Sequence, residues 1–211
     1  MPHRPETLAF NYAEPPVPGP LAGEIHRAVY AELKEEFLPE ILAGRHGAEA
    51  RFSVGTAQEG GRLAACCWTG AGRRQPECGV MAGVVTLAEH RGKGIATALV
   101  RGACERFESH GGRRLYLGVS NPVARRIYEK LGFRKVAGQI LMRGEAGLES
   151  APETGPVLSR PATAGDIGLV VPLYTQEHPA VLLDAGIRMP SPRVVPPWRC
   201  VRIFWDSWNS V

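Results

Sequence analysis

The sequence predicts an α/β domain in which a sheet is flanked by helices, and three features carry that prediction. Val80 to Leu87 is apolar without alternation, as expected of a central strand covered on both faces. Arg91-Gly92-Lys93-Gly94-Ile95-Ala96 follows, and Ile95, Ala98, Leu99, Gly102, Ala103, Arg106 and Phe107 then fall at helical spacing, so a helix runs to about Ser109. A second strand and helix, Leu115 to Ser120 and then a helix capped by Asn121, repeat the order downstream.

The remaining elements follow in chain order. Thr7 to Tyr12 reads as a first strand, and Ala13-Glu14-Pro15-Pro16-Val17-Pro18-Gly19-Pro20 interrupts regular structure. Leu21, Ile25, Ala28, Val29, Leu33 and Phe37 trace one face of a helix that Pro39 ends or kinks. Arg51 to Ala57 and Arg62 to Thr69 are two strands joined across Gln58-Glu59-Gly60-Gly61. Asn121 caps the later helix with Pro122 at its first position, where a missing N–H costs nothing. Val123, Ala124, Ile127, Tyr128 and Leu131 form its apolar face, Gly132 ends it, and Phe133 makes the returning contact. Arg134 to Met142 is expected to be one further strand. Residues 1–143 thus make one domain, 144–156 a linker rich in Gly, Ala, Glu, Ser and Pro, and 157–211 a C-terminal extension. In that extension Arg199 to Asp206 is expected to be a strand, with Trp198, Trp205 and Trp208 serving packing.

Composition narrows the class. At 211 residues with 44% hydrophobic content the chain can fill a core, while 25 glycines and 18 prolines imply many turns. The net charge of +4 suits a polyanionic small molecule, and the chain lacks the dense basic stripe with interleaved aromatics of a nucleic-acid binder. Five cysteines form neither an even disulfide framework nor a Cys-x-x-Cys metal motif, so reduced thiols are expected. The N-terminus has no signal-peptide pattern and no apolar run reaches the ~20 residues of a membrane span, which makes a cytoplasmic, non-membrane protein the expectation.

The glycine turn between strand and helix is where a phosphate is held. Backbone N–H groups at a helix start supply several donors in one place. Glycine at 92 and 94 removes the Cβ that would keep a ligand oxygen away, and Arg91 and Lys93 add positive charge. Two familiar phosphate loops are excluded. Ile95 follows the second glycine, so the Ser/Thr of a Walker loop is missing. Thr97 stands where a dinucleotide fingerprint needs its third glycine.

These residues resemble the GNAT superfamily of acyl-CoA-dependent N-acyltransferases, whose signature is Arg/Gln-x-x-Gly-x-Gly/Ala. Arg91, Gly94 and Ala96 match it, and Asn121-Pro122-Val123-Ala124, Tyr128 and Leu131-Gly132-Phe133 follow in the family's order. The resemblance spans roughly residues 5 to 143, and Val157 to Ile167 resembles the opening of such a domain a second time, a partial repeat. It implies a mixed central sheet with two splayed parallel strands, between which acetyl-CoA lies while an amine of a small molecule or peptide attacks its thioester directly. It implies no metal. Val84, Val85 and Thr86 would orient the acyl arm, Arg91, Gly92, Lys93, Gly94, Ile95 and Ala96 would hold the pyrophosphate, and Asn121 would meet the pantetheine. Tyr128 would stabilise the departing thiolate. Glu77 is the candidate base, at a spacing that departs from the family's; Glu89, His90 and His26 read as surface groups. Two other classes compete: a non-catalytic CoA-binding module, and an acyl-CoA decarboxylase or carrier-protein acyltransferase on the same fold. The acceptor and the oligomeric state, a homodimer included, stay open at this level.

Overall fold

The computed structural model describes residues 8–33, 38–48, 50–74, 76–137, 140–144 and 165. The expected linker, the Arg199 to Asp206 strand and the three C-terminal tryptophans lie outside the described residues, as do Thr7 and Phe37.

Strand β1 (Ala9–Ala13) leads into helix α1 (Gly19–Leu33) and a short helix α2 (Leu38–Leu42). Strands β2 (Ala50–Glu59), β3 (Arg62–Gly72) and β4 (Cys78–Thr86) form a meander, and helix α3 (Ile95–Ser109) follows. Strand β5 (Arg114–Gly118), helix α4 (Pro122–Lys130) and strands β6 (Arg134–Ala137) and β7 (Ile140–Gly144) complete the described domain. The strands make one mixed sheet in the order β1-β2-β3-β4-β5-β7-β6, and only β4 and β5 pair in parallel among the described strands. The mixed sheet flanked by helices is the fold expected from the sequence.

Alternation along the central strands divides the core into two layers. Cys66, Trp68, Val80 and Val85 pack with Ile25 and Val29 of α1 and Leu38, Ile41 and Leu42 of α2. Cys67, Met81, Leu115 and Leu117 pack with Ile95, Leu99 and Phe107 of α3 and Tyr128 of α4. The Tyr12 hydroxyl donates to the Leu99 carbonyl at 2.9 Å, fastening α3 to the edge strand β1.

Two sequence expectations are corrected, at Arg134 to Met142 and at Val123, and two further features stand beside them. Arg134 to Met142 is not one strand but parts of two, β6 and β7, paired antiparallel. Pro39, expected to end or kink the first helix, is the second residue of α2, where its missing N–H has no intrahelical use, and residues 34–37 before α2 lie outside the described residues. Val123 is 67% exposed and leaves the apolar face to Ala124, Tyr128 and Leu131. A 3₁₀ turn, Ala88–His90, stands between β4 and the glycine turn.

No described helix is long and apolar enough to cross a membrane. Cys66, Cys67, Cys78 and Cys104 are buried and unbridged.

Candidate active site

The site is an opening between β4 and β5. Their parallel ladder joins Cys78, Gly79 and Val80 to Arg114, Leu115 and Tyr116, and goes no further. Beyond it β4 stays paired with β3 through Thr86↔Ala65, and β5 stays paired with β7 through Gly118↔Ile140. Each strand therefore keeps its outer neighbour while the inner edges part, and the inner backbone groups of β4 lose their ladder partners there.

A bulge helps to open this gap. Trp68 pairs with Ala82 and Cys66 with Val85, so three steps along β4 match two along β3. Gly83 sits in the bulge with φ +62°, a left-handed backbone that glycine adopts without a Cβ clash. The extra residue bends β4 and resets its alternation: Val85 packs with Ala82 on the α1 face, and Val84 on the α3 face.

At the open end of β4 the chain turns into α3 through two left-handed glycines, Gly92 and Gly94, each at φ +77°. Gly94 is the N-cap of α3 and offers no side chain to the first turn, whose first intrahelical bond is Ala98 N–H to the Gly94 carbonyl. The preceding amides of the turn thus have no helical acceptor. A Cβ built at Gly92 or Gly94 meets no atom within 4 Å. Open space, helix-start amides and the exposed Lys93 together fit a pyrophosphate. Ile95 turns its side chain into the core, so its contribution to this cradle is its backbone; Ala96 is half-buried.

Arg91 is differently employed. Its Nε donates to the Thr86 carbonyl at 3.0 Å and its Nη2 to Glu32 Oε1 at 2.8 Å, so the guanidinium braces the end of α1 against the end of β4. Thr86 Oγ1 is buried and has no hydrogen-bond partner. His90, expected on the surface, has a side chain only 13% exposed, with Nδ1 3.4 Å from Glu59 Oε2.

Across the opening, Asn121 Oδ1 accepts from Val123 N–H at 2.9 Å and from Ala124 N–H at 3.4 Å. Helix α4 ends in a Schellman motif: Phe133 N–H reaches the Tyr128 carbonyl and Gly132 N–H the Glu129 carbonyl, both at 3.1 Å. The Phe133 ring meets Tyr128 edge-on at 5.8 Å between centroids, which fixes the phenol's direction. Tyr128 is 6% exposed, and burial, with a smaller push from Cys67, raises its pKa well above the ordinary phenol range. Cys67 is the β3 residue opposite the β4 bulge and shares a core layer with Tyr128.

Glu77 is not brought to this place. It precedes β4 at the closed end, where its carbonyl accepts from Arg113 and Arg114 N–H at 2.9 and 2.8 Å. Six steps along the strand separate it from Gly83, about 20 Å at the usual rise. Sequence proximity to a strand start carried no sign of which end would open.

The acetyltransferase (GNAT) family model matches residues 21–133, more than half of the 211-residue chain. The chain belongs to the GNAT acetyltransferase family. Solved structures agree on the fold. A GNAT-family protein of Desulfovibrio desulfuricans superposes with a TM-score of 0.54 at 18% identity, over 65% of this chain and 99% of that one. An acetyltransferase of Streptococcus agalactiae gives 0.53 at 12%, over 64% and 98%. A GNAT-family acetyltransferase of Streptococcus pneumoniae gives 0.52 at 19%, over 66% and 100%. A comparison with curated proteins gave no match. The family's fold and general chemistry, acyl transfer, thus rest on the GNAT match together with the opened β4–β5 pair.

Proposed function

We propose that this GNAT protein transfers an acetyl or similarly short acyl group from acetyl-CoA to an amine by direct attack. The observation that carries the reading is the β4–β5 opening that ends at a helix start with two left-handed glycines and no atom in the way.

Polyphosphate held by several amides gains about 1.5–3 kcal/mol per charge-assisted bond. The dipole of α3 adds about 0.3–1 kcal/mol. In this proposal Lys93 supplies the nearby positive charge, and the edge of β4 from Val84 to Thr86, which has no β5 partner and whose Thr86 carbonyl accepts from Arg91, hydrogen-bonds the amide-bearing arm as a neighbouring strand would. Asn121 spends its oxygen on the helix cap, which leaves its NH₂ to donate to that arm.

Tyr128 acts as a hydrogen-bond donor to the sulfur as the C–S bond breaks. Ordinary phenol and thiol pKa values already make complete proton transfer uphill by about 2 kcal/mol. Burial raises the phenol further, so Tyr128 stays neutral and stabilises developing charge without giving up its proton. Burial likewise pushes the Cys67 thiol up, which keeps this cysteine of the same core layer protonated and supports attack by the amine itself over an acyl-cysteine route. The attacking amine must arrive neutral, and the position of Glu77 gives it no part in that deprotonation.

The test is CoA-thiol release from acetyl-CoA across a panel of alkylamines, amino acids and peptide N-termini, with mass spectrometry of the acceptor. Acceptor gaining 42 mass units, an acetyl group by general chemistry, is the expected result. Tight CoA binding with every amine untouched points to the non-catalytic module, and CO₂ release from malonyl-CoA to decarboxylation.

A further inference from the structure

A cleft of about 120 Å³ lies at the opposite end of the sheet from the glycine cradle. Arg51 and Ser53 of β2, Thr69 of β3, Arg73, and Phe107 and His110 at the end of α3 help to line it. Gly70 and Ala71 pair with Val80 and Gly79, in the part of β4 that remains joined to β5, so this cleft is no extension of the opening.

Its polar groups are poorly satisfied from within. Ser53 is 6% exposed, and its hydroxyl is buried without a hydrogen-bond partner. Thr69, its register partner, is 4% exposed on the same face. Glu14 bridges two guanidiniums only loosely: Oε1 is 3.2 Å from Arg51 Nε and Oε2 is 3.6 Å from Arg73 Nη2, longer than good charge-assisted bonds. Arg106, close enough to act on His110, has a buried Nε with no partner. Two guanidiniums of the lining, Arg51 and Arg73, thus face one carboxylate, and Arg73 also donates to the Gly47 carbonyl. Burial first, then Arg51 and Arg106, hold the His110 pKa down against the opposing pull of Glu14, so the imidazole stays neutral and can donate or accept. The carbonyls ending α3 do not face the cleft bare, because Phe107 O already accepts from His110 and Gly112 N–H. Phe107 and Pro76 supply an apolar wall, and the Gly165 carbonyl packs against Gly72 at the rim.

We propose that this cleft is a second ligand site of the protein, taking a small carboxylate whose oxygens meet Ser53, His110 and the guanidinium of Arg51 while a short apolar tail rests on Phe107. The donors outnumber the acceptors, which selects an anion. The Glu14 carboxylate already lies between two of the guanidiniums, which shows the shape they accept. The small volume and apolar wall select a short acid over a phosphate ester.

The test is calorimetric titration of the full chain with butyrate and with benzoate, butylammonium and chloride serving as controls at matched ionic strength. NMR of the His110 imidazole protons is followed in parallel. Saturable binding of one or both acids, shifted His110 signals and no response to butylammonium are expected. Ser53→Ala should weaken binding about tenfold, the loss of one good hydrogen bond to a charged group. The same variant should melt no lower than the parent, since it deletes a buried hydroxyl that has no partner in the unliganded fold. Arg51→Gln should abolish binding. Absence of saturable binding by both acids would overturn the proposal, and so would binding that Ser53→Ala and Arg51→Gln leave unchanged.

Discussion

Replacing Gly94 by alanine separates the ligand's demand on this residue from the fold's. Gly94 has φ +77° and ψ 1°, and a Cβ there meets no protein atom within 4 Å. The unliganded protein therefore loses only the left-handed strain of an L residue, about 1–2 kcal/mol. In a domain of this size that lowers the melting temperature by about 2–8 °C. Bound pyrophosphate meets the methyl in the space it needs. If two charge-assisted amide bonds are lost, at about 1.5–3 kcal/mol each, affinity falls by about 3–6 kcal/mol, or roughly 10²–10⁴-fold in Kd. Gly61 supplies the control. It has φ +78°, equally open surroundings, and a place in the β2–β3 turn, at the same end of the sheet but on the other side of β3 from the β4–β5 pair. Gly61→Ala should thus match Gly94→Ala in a thermal melt and bind CoA like the parent in calorimetry. Equal CoA affinity in the two variants would refute the cradle, because strain alone would then account for both.

Two further outcomes follow from the same geometry. Tyr128→Phe should lower kcat about 10–100-fold, the worth of one hydrogen bond to developing charge, with KM for acetyl-CoA within about twofold and little change in melting temperature. Because burial raises the phenol, Tyr128 remains a donor as pH rises, so the pH–rate profile should climb with amine deprotonation and show no falling limb below about pH 10; a parent profile that falls near neutrality would speak against this role. Glu32→Gln removes a half-exposed carboxylate that holds Arg91, and should cost less than about 1 kcal/mol of stability. CoA affinity should rise a few-fold at low ionic strength and return to the parent value at high salt, and a salt-independent change would show that Glu32 acts through α1 packing instead.

Local chemistry made part of this site legible in the sequence. Asn121 and Pro122 begin α4 and Gly132 ends it through contacts within a turn of each residue, and the same holds for the glycines that start α3. The rest depends on partners far along the chain. The bulge at Gly83 exists only relative to β3, and the opening only relative to β5. Glycine inside the apolar run was the one signal that could have marked the bulge. The Arg91 side chain went to Glu32, 59 residues away, where spacing arguments have no reach. Val123 satisfied helical periodicity yet faces outward, because periodicity gives a stripe and the neighbouring layer decides its width.

The two halves of the site are built from different materials, and this explains why one was readable and the other was not. The donor side rests on backbone: amides at the start of α3, the edge of β4 that has no β5 partner, and glycines that leave room for a ligand. Such a surface needs particular residues at fixed local spacing, so the sequence displays it. In the proposed function the acceptor side would be made where α1 and α2 cover the sheet, by side chains whose identity the backbone does not constrain. Arg91 links β4 to α1, with its Nε on the Thr86 carbonyl and its Nη2 on Glu32 near the end of α1. A charge placed on the cradle by a bound polyanion competes with Glu32 for that guanidinium, and whatever loosens the pair loosens the end of α1. In the proposed function, filling the donor site and ordering the end of α1 would therefore be coupled through this arginine. The strength of that coupling is bounded by the half-exposed setting of the ion pair, about 1 kcal/mol at most.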